Sequence, residues 1–296
     1  MSASDIAKDN DSSAQTSPVD YWRQCLTTVD IEWLRSSINA DETRMRARVD
    51  EIRKEAYDFS HYPCIRAYFF AKVDVVKNSI YKEIVEAGKK GDTIYLDFGC
   101  CMGTDARKLV ADGYPPQNVF ACDLYKELLD FGYRLYDDAS TCQIHFLSSD
   151  AFSVPYPAPP SGPSTVEDLS EVTEISQLQG KVTHLYAGFF FHMFNEEKQC
   201  NLALRFGVLM KREPGTILYG RQIGSYEAGF VDALQMFAHS PESWKKMWKR
   251  AFMELESTEF AENRVIVEAE FAEVLPKELS LHGHPMPVLH WNVRIV

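Results

Sequence analysis

The run from Thr93 to Asp105, T-I-Y-L-D-F-G-C-C-M-G-T-D, restricts the fold more than any other part of the chain. Thr93, Ile94, Tyr95 and Leu96 are apolar, aromatic or β-branched without alternation, the pattern of a central strand buried on both faces. The strand is expected to stop at Asp97. Gly99 and Gly103 follow, and Thr104 and Asp105 open a segment, Ala106 to Ala111, of helical composition. Strand, glycine turn and helix in this order put free N–H groups beside a backbone that a ligand can approach closely. Asn118 to Cys122 reads as the next strand. It ends in Asp123, about 20 residues past Gly103, the interval at which an acid meets a ribose in nucleotide-binding βαβ units.

The glycines read D-x-G-x-x-x-G. They lack the close pair of the dinucleotide fingerprint, and Thr104 stands where a phosphate-binding loop would place lysine. An acid closing each of the first two strands, around two wider-spaced glycines, resembles class I S-adenosylmethionine (SAM) methyltransferases. The bland alternative is an unrelated α/β turn with a helix cap. By charge and shape, the Gly99–Gly103 backbone with Cys100 and Cys101 is expected to take the methionine part and ribose. Asp97 is placed to orient the ammonium end. Asp123, with Leu124 beside it, accepts from ribose hydroxyls. Asp150, Ala151 and Phe152 after the third strand resemble the family's adenine site, where a carboxylate accepts from the amino group and an aromatic covers the ring. Otherwise Asp150 is a loop acid beside a buried phenylalanine. Gly188 joins the cofactor set at the end of the fourth strand. Tyr62, Phe189, Phe190 and Phe194 are candidates for an aromatic wall facing the sulfonium, with core packing as the alternative.

Size and charge narrow the class. The chain has 296 residues and is 45% hydrophobic, enough for one large domain or two small ones. Net charge is −12, with no basic face visible, which argues against a nucleic-acid partner. No apolar window is long enough to span a membrane, and the polar N-terminus has no signal-like region, so a cytoplasmic protein is expected. The seven cysteines are odd in number and form no C-x-x-C pair, so reduced thiols are expected and a metal site is not.

Residues 1–18 are expected to be a disordered tail, 19–90 an N-terminal helical cap, and 91–296 the methyltransferase domain. In the cap, Asp20 is expected to start a helix from Tyr21 to about Ser36, and Asp41 another to about Phe59. After Pro63, the spacing of Phe70, Val73, Val76, Ile80 and Ile84 predicts a helix over Ala67–Ala87. Trp22 and Trp33 are candidates for a homodimer contact. Strands are expected at Gln143–Leu147, Val182–Tyr186 and Thr216–Tyr219, with helices at Tyr125–Asp137, Glu196–Met210 and from Ser240 to about Met253. Arg264–Val274 and Val288–Ile295 are expected to form a terminal antiparallel hairpin. The proline-rich stretch 153–170 reads as an insertion or covering loop. The whole is an α/β, Rossmann-like, seven-stranded methyltransferase sheet, mostly parallel, with a C-terminal antiparallel hairpin and an N-terminal helical lid.

Ligands of such sheets sit at the carboxyl ends of the strands. His192, in the loop after the fourth strand, is placed to deprotonate a hydroxyl or hold a carboxylate, or is simply a buried hydrogen-bonded histidine. Arg221 and Gln222 leave the fifth strand toward the same crevice. Arg221 either grips an acidic substrate bidentately or makes a structural ion pair. His239 is a further candidate for the pocket, with Arg66, Phe190 and Phe194 as substrate contacts.

Five segments together resemble fungal meroterpenoid and secondary-metabolite O-methyltransferases: H-Y-P-C-I at 61–65, L-D-F-G-C-C-M-G-T-D at 96–105, F-F-H-M-F at 190–194, P-G-T-I-L-Y-G-R-Q-I-G at 214–224, and the closing W-N-V-R-I-V. The resemblance spans roughly residues 60–296. It implies SAM-dependent O-methylation, often of a carboxyl group on a terpenoid acid, with His192 and Arg221 positioning and neutralising the acid. The competing expectation is a protein of the same fold that cyclises or rearranges a terpenoid with SAM as a spectator.

Overall fold

Parallel strands joined by helices build the sheet outward from the glycine turn. The computed structural model describes residues 18–157, 168–231, 236–275 and 285–296. In chain order the elements are α1 (Pro18–Cys25), α2 (Thr28–Ser37), α3 (Glu42–Ser60), α4 (Pro63–Arg66), α5 (Tyr81–Lys89), β1 (Tyr95–Phe98), α6 (Thr104–Ala111), β2 (Val119–Asp123), α7 (Lys126–Tyr136), β3 (His145–Ser148), β4 (His184–Gly188), α8 (Glu196–Leu209), β5 (Ile217–Ile223), β6 (Gly229–Val231), β7 (Met236–Ala238), α9 (Pro241–Leu255), α10 (Thr258–Arg264), β8 (Val265–Leu275) and β9 (Met286–Ile295). The seven-stranded sheet has the order β3-β2-β1-β4-β5-β9-β8. The first five of these are parallel, while β9 runs antiparallel to β5 and β8 antiparallel to β9. β6 and β7 form a small separate hairpin that the sequence did not suggest.

Strand alternation divides the core. Tyr95, Ala121, Tyr186, Ile217 and Tyr219 face one layer with α5 and α6. Leu96, Phe98, Phe120, Leu185 and Leu218 face the other with α8 and α9, where Trp244, Trp248 and Trp291 pack together. A third cluster joins the N-terminal helices to the body: Trp22, Leu34, Met45, Val49 and Ile52 pack with Met102 of the glycine turn and Leu128 and Leu135 of α7. Trp22 is 2% exposed, and Trp33 is half-buried with its ring 6.4 Å from that of Tyr136, so both pack within this cluster.

The expected first helix is two helices, and it starts at Pro18, so Asp20 lies inside it rather than capping it. The break falls at Thr27. Its side chain and Asp30 form a reciprocal capping box that restarts the helix as α2. α3 begins as expected, with the Asp41 side chain accepting from the Arg44 N–H.

The larger correction concerns Ala67–Ala87. Only Tyr81–Lys89 is α-helix there; before it come two single 3-10 turns, Phe69–Ala71 and Val75–Lys77. The N–H groups a helix would pair locally are taken by distant acids. Val73 N–H donates to Asp30 Oδ1 at 2.9 Å and Val75 N–H to Asp105 Oδ1 at 3.0 Å. Asn78 Nδ2 reaches the Gly220 carbonyl at 3.4 Å. Residues 72–78 thus form a strap across the carboxyl end of the sheet. Among the cap and loop expectations, residues 1–17, most of the proline-rich stretch and most of the 276–287 connection lie outside the described residues.

Candidate active site

The turn after β1 is built by backbone conformations that few side chains tolerate. Gly99 and Gly103 have φ of +76° and +70°, and Cys101 between them +53°. A Cβ on Gly99 would lie 2.6 Å from the Phe190 ring. The turn is fastened to the end of β2. Gly99 and Cys100 N–H groups both donate to the Cys122 carbonyl at 2.9 Å, and Cys101 N–H donates to Asp123 Oδ2 at 2.8 Å. Asp123 Oδ1 also accepts from Tyr125 N–H at 3.2 Å. Burial raises the Asp123 carboxyl, and these backbone donors pull it back. Gly132 of α7 is equally constrained, since a Cβ there would meet the Met102 carbonyl oxygen at 2.4 Å.

Asp97 lies within β1, not just beyond it, and is 2% exposed. Its Oδ2 has no hydrogen-bond partner among the described residues. Burial drives its pKa far above the ordinary value, and Asp105 and Asp123 raise it further. Asp105 is half-buried, and its carboxyl is held up to about 7 by loss of solvent and by Asp74 against the Val75 N–H. Asp74 is the opposite case. Burial pushes it up, yet Arg221, Lys77 and Lys72 hold it down to about 2. A buried acid with an unmade bond, raised further by the charges of Asp105 and Asp123, is stabilised by an incoming cation.

Asp150 stands at the neighbouring strand end, its carboxylate accepting from Phe152 N–H at 2.9 Å. Ser149 N–H donates to the Asp123 carbonyl at 2.9 Å, which sets the two strand ends side by side. Ala151 is buried, Phe152 is half-buried and Leu124 is exposed. Tyr62, half-exposed at the start of α4, leans on Tyr125 at 6.3 Å, and the Asp123 carboxylate adds to the upward push that burial gives its hydroxyl. The cofactor candidates Tyr62, Asp97, Gly99, Cys100, Cys101, Gly103, Asp123, Leu124 and Asp150–Phe152 therefore occupy one end of the sheet. Gly188 ends β4, next to β1.

The acceptor candidates do not share one crevice. The fifth strand runs on to Ile223, so alternation sends Arg221 and Gln222 to opposite faces. Gln222 lies toward the tryptophan layer, opposite Leu289 in register, and its Oε1 has no partner among the described residues. Arg221 shares the face of Asp97 but is 2% exposed and bound to acids: Nη1 lies 2.8 Å from Asp74 Oδ1, and Nη2 pairs with Glu273. It is a structural ion pair rather than an open grip for substrate. His239 is held in the corner before α9, with Nδ1 against Ser243 Oγ at 2.9 Å and its ring on Trp244. Phe190 packs between Phe98 and Phe206 in the core, and Phe194 sits against Phe152, toward the expected adenine end. Arg66 is exposed at the end of α4.

His192 and Phe189 do meet, with ring centroids 5.7 Å apart. Burial lowers His192 to about 4, so its imidazole is neutral near pH 7, and its Nδ1 has no partner among the described residues. Phe189 has φ +50°, carries the Arg221 guanidinium 4.7 Å over its ring, and meets Phe69 edge-on at 5.7 Å. Sequence reasoning did not single out Asp74 or Asp105, whose charges act at this end of the sheet. Only Asp105 had a signal, as an acid in the first turn of the helix after the glycines.

This seven-stranded sheet, with its acid-flanked glycine turn at the carboxyl edge, has the architecture of class I SAM methyltransferases. The chain is in turn similar to fungal O-methyltransferases. It is 30% identical over 210 residues to the O-methyltransferase phiE of Fungal sp. (strain ATCC 74256), covering 70% of this chain and 65% of that one. It is 32% identical over 190 residues to the O-methyltransferase atr3 of Stereocaulon alpinum, covering 64% and 50%. The Asnovolin E/Chermesin D methyltransferase nvfJ of Aspergillus novofumigatus is 29% identical over 206 residues, 68% of each chain. The aligned part thus spans about half to two thirds of these relatives' length. No family model matches the chain. Among solved structures, a SAM-dependent methyltransferase from Archaeoglobus fulgidus aligns over 75% of this chain and 94% of its own, at 12% identity and a TM-score of 0.46.

Proposed function

We propose that this protein is a SAM-dependent O-methyltransferase of the kind found in fungal secondary metabolism, and that its acceptor is the carboxyl group of a terpenoid or meroterpenoid acid. The observation that carries the cofactor assignment is the buried, unpartnered Oδ2 of Asp97 beside the positive-φ turn. Burying a carboxylate is costly unless a cation or donor meets it, and the cofactor brings an ammonium and a sulfonium. Asp123 retains acceptor capacity for ribose hydroxyls, because each carboxylate oxygen offers more than one lone pair. Asp150, Ala151 and Phe152 take the adenine, and residues 19–90 cap the site. The names of phiE and atr3 support methyl transfer to oxygen, and that of nvfJ, an Asnovolin E/Chermesin D methyltransferase, supports a fungal metabolite as acceptor.

When bound, the cofactor supplies an electrophilic methyl group on a sulfonium, which departs with the bonding electron pair. The chain's own work is alignment and exclusion of water. A carboxylate acceptor is ionised at neutral pH and requires no base. The neutral His192 then donates its ring N–H to the carboxylate and positions the acid.

Methyl-labelled SAM incubated with terpenoid acids, the matching alcohols and the methyl esters tests this. Label is expected in the acid products alone, released as methanol by mild alkali. Label stable to alkali overturns the carboxyl assignment. A product of unchanged mass overturns methylation and favours cyclisation.

A further inference from the structure

Arg221 was the cation expected to meet an acidic acceptor, and the fold commits it to Asp74 and Glu273. The neutral His192 supplies no charge. Another cation lies nearby. Lys72 opens the strap, is 7% exposed, and places its ammonium 3.9 Å over the Phe69 ring. Its ammonium makes no hydrogen bond or ion pair among the described residues.

The acids whose charge reaches it are already engaged. Asp74 holds Arg221 at 2.8 Å and Lys77 at 2.7 Å. Asp30 accepts from Thr27 N–H at 2.8 Å, Thr27 Oγ1–H at 2.7 Å and Val73 N–H at 2.9 Å. Lys72 is therefore a buried cation whose counter-ion is lacking, a state that costs stability unless a ligand completes it. The ring under its ammonium begins a row of aromatics that leads toward the end of the fourth strand. Phe69 meets Phe189, and Phe189 meets His192, just beyond Gly188. One ammonium set in a wall of rings matches a ligand with one carboxylate on a hydrocarbon body.

We propose that Lys72 anchors the acceptor's carboxylate, and so selects acids over the corresponding alcohols and esters. The assignment rests on the carboxyl-acceptor reading above and names the residue that recognises that group.

The test measures binding of farnesoic acid, methyl farnesoate and farnesol to the full chain saturated with S-adenosylhomocysteine, in the wild type and in Lys72→Met and Lys72→Arg. Wild type is expected to prefer the acid. Lys72→Met is expected to bind the acid roughly 10- to 100-fold more weakly, the scale of a lost charge-assisted hydrogen bond. Ester binding should hold, and Lys72→Arg should restore part of the preference. Ligand-free Lys72→Met should also melt higher than wild type, because an unpaired buried charge has gone; a structural lysine would give the opposite sign. If wild type shows no preference for the acid, the carboxyl reading fails and the anchor with it. If wild type prefers the acid and Lys72→Met keeps that preference, the anchor alone is overturned.

Discussion

Replacing Arg221 with methionine separates its two possible roles, because the ion pair makes a quantitative demand. The guanidinium side chain is 2% exposed and faces Asp74, whose side chain is 9% exposed, and Glu273, at 32%. Glu273 can rehydrate when the arginine goes. Asp74 cannot, and keeps Lys77, 2.7 Å away and 30% exposed, with the more remote charge of Lys72. Removing one partner of a buried pair costs about 3–5 kcal/mol, and the surviving lysine sets the expectation near the lower end. At about 2–4 °C per kcal/mol for chains approaching this length, Tm should fall by roughly 6–12 °C. The pH dependence carries a second signature. Asp74 is held at about 2 against an ordinary 3.8. A depressed acid contributes stability that is fully present above its unfolded value and is lost as pH falls through the folded one. The deficit of Arg221→Met should thus be full above about pH 4 and shrink toward pH 2. Circular dichroism melts across that range read both effects. Adding Asp74→Asn to Arg221→Met should recover part of the loss. If Arg221→Met melts within about 2 °C of wild type yet abolishes turnover of the acid, the structural assignment is wrong and Arg221 grips substrate.

Two further outcomes follow from the acids around the glycine turn. Asp97→Asn should fold and melt at or above the wild-type temperature while losing most affinity for S-adenosylhomocysteine in titration calorimetry; retained affinity would refute the role of its unpartnered oxygen. Asp105 sits at about 7 against an ordinary 3.8, so its proton is held more tightly in the folded chain. The ligand-free protein should lose stability as pH rises from about 4 toward 7, and Asp105→Asn should flatten that limb in denaturant titrations at matched pH.

The parts legible in the sequence are those governed by neighbours along the chain. Tyr95 and Leu96 announced a central strand, and Gly99 and Gly103 announced a turn whose φ values they then adopt. The terminal hairpin was legible because both strands are long. Strand alternation also held the answer for Arg221 and Gln222, but the fifth strand was expected to end at Tyr219, and only its continuation to Ile223 puts the two side chains on opposite faces. The strap was illegible for a different reason. Its apolar residues fall at helical spacing, while its N–H groups are claimed by acids 43 and 30 residues away, a competition no local window contains. Lys72 was hidden with it.

Val73, Asp74 and Val75 are adjacent, yet each is tethered to a different region: the second helix, the fifth strand and the helix that follows the glycine turn. A swap of N-terminal helices between this protein and a relative is therefore not a modular exchange. The graft must bring an acid in the place of Asp30, or Val73 loses its acceptor and the strap loses its alignment across the carboxyl end of the sheet.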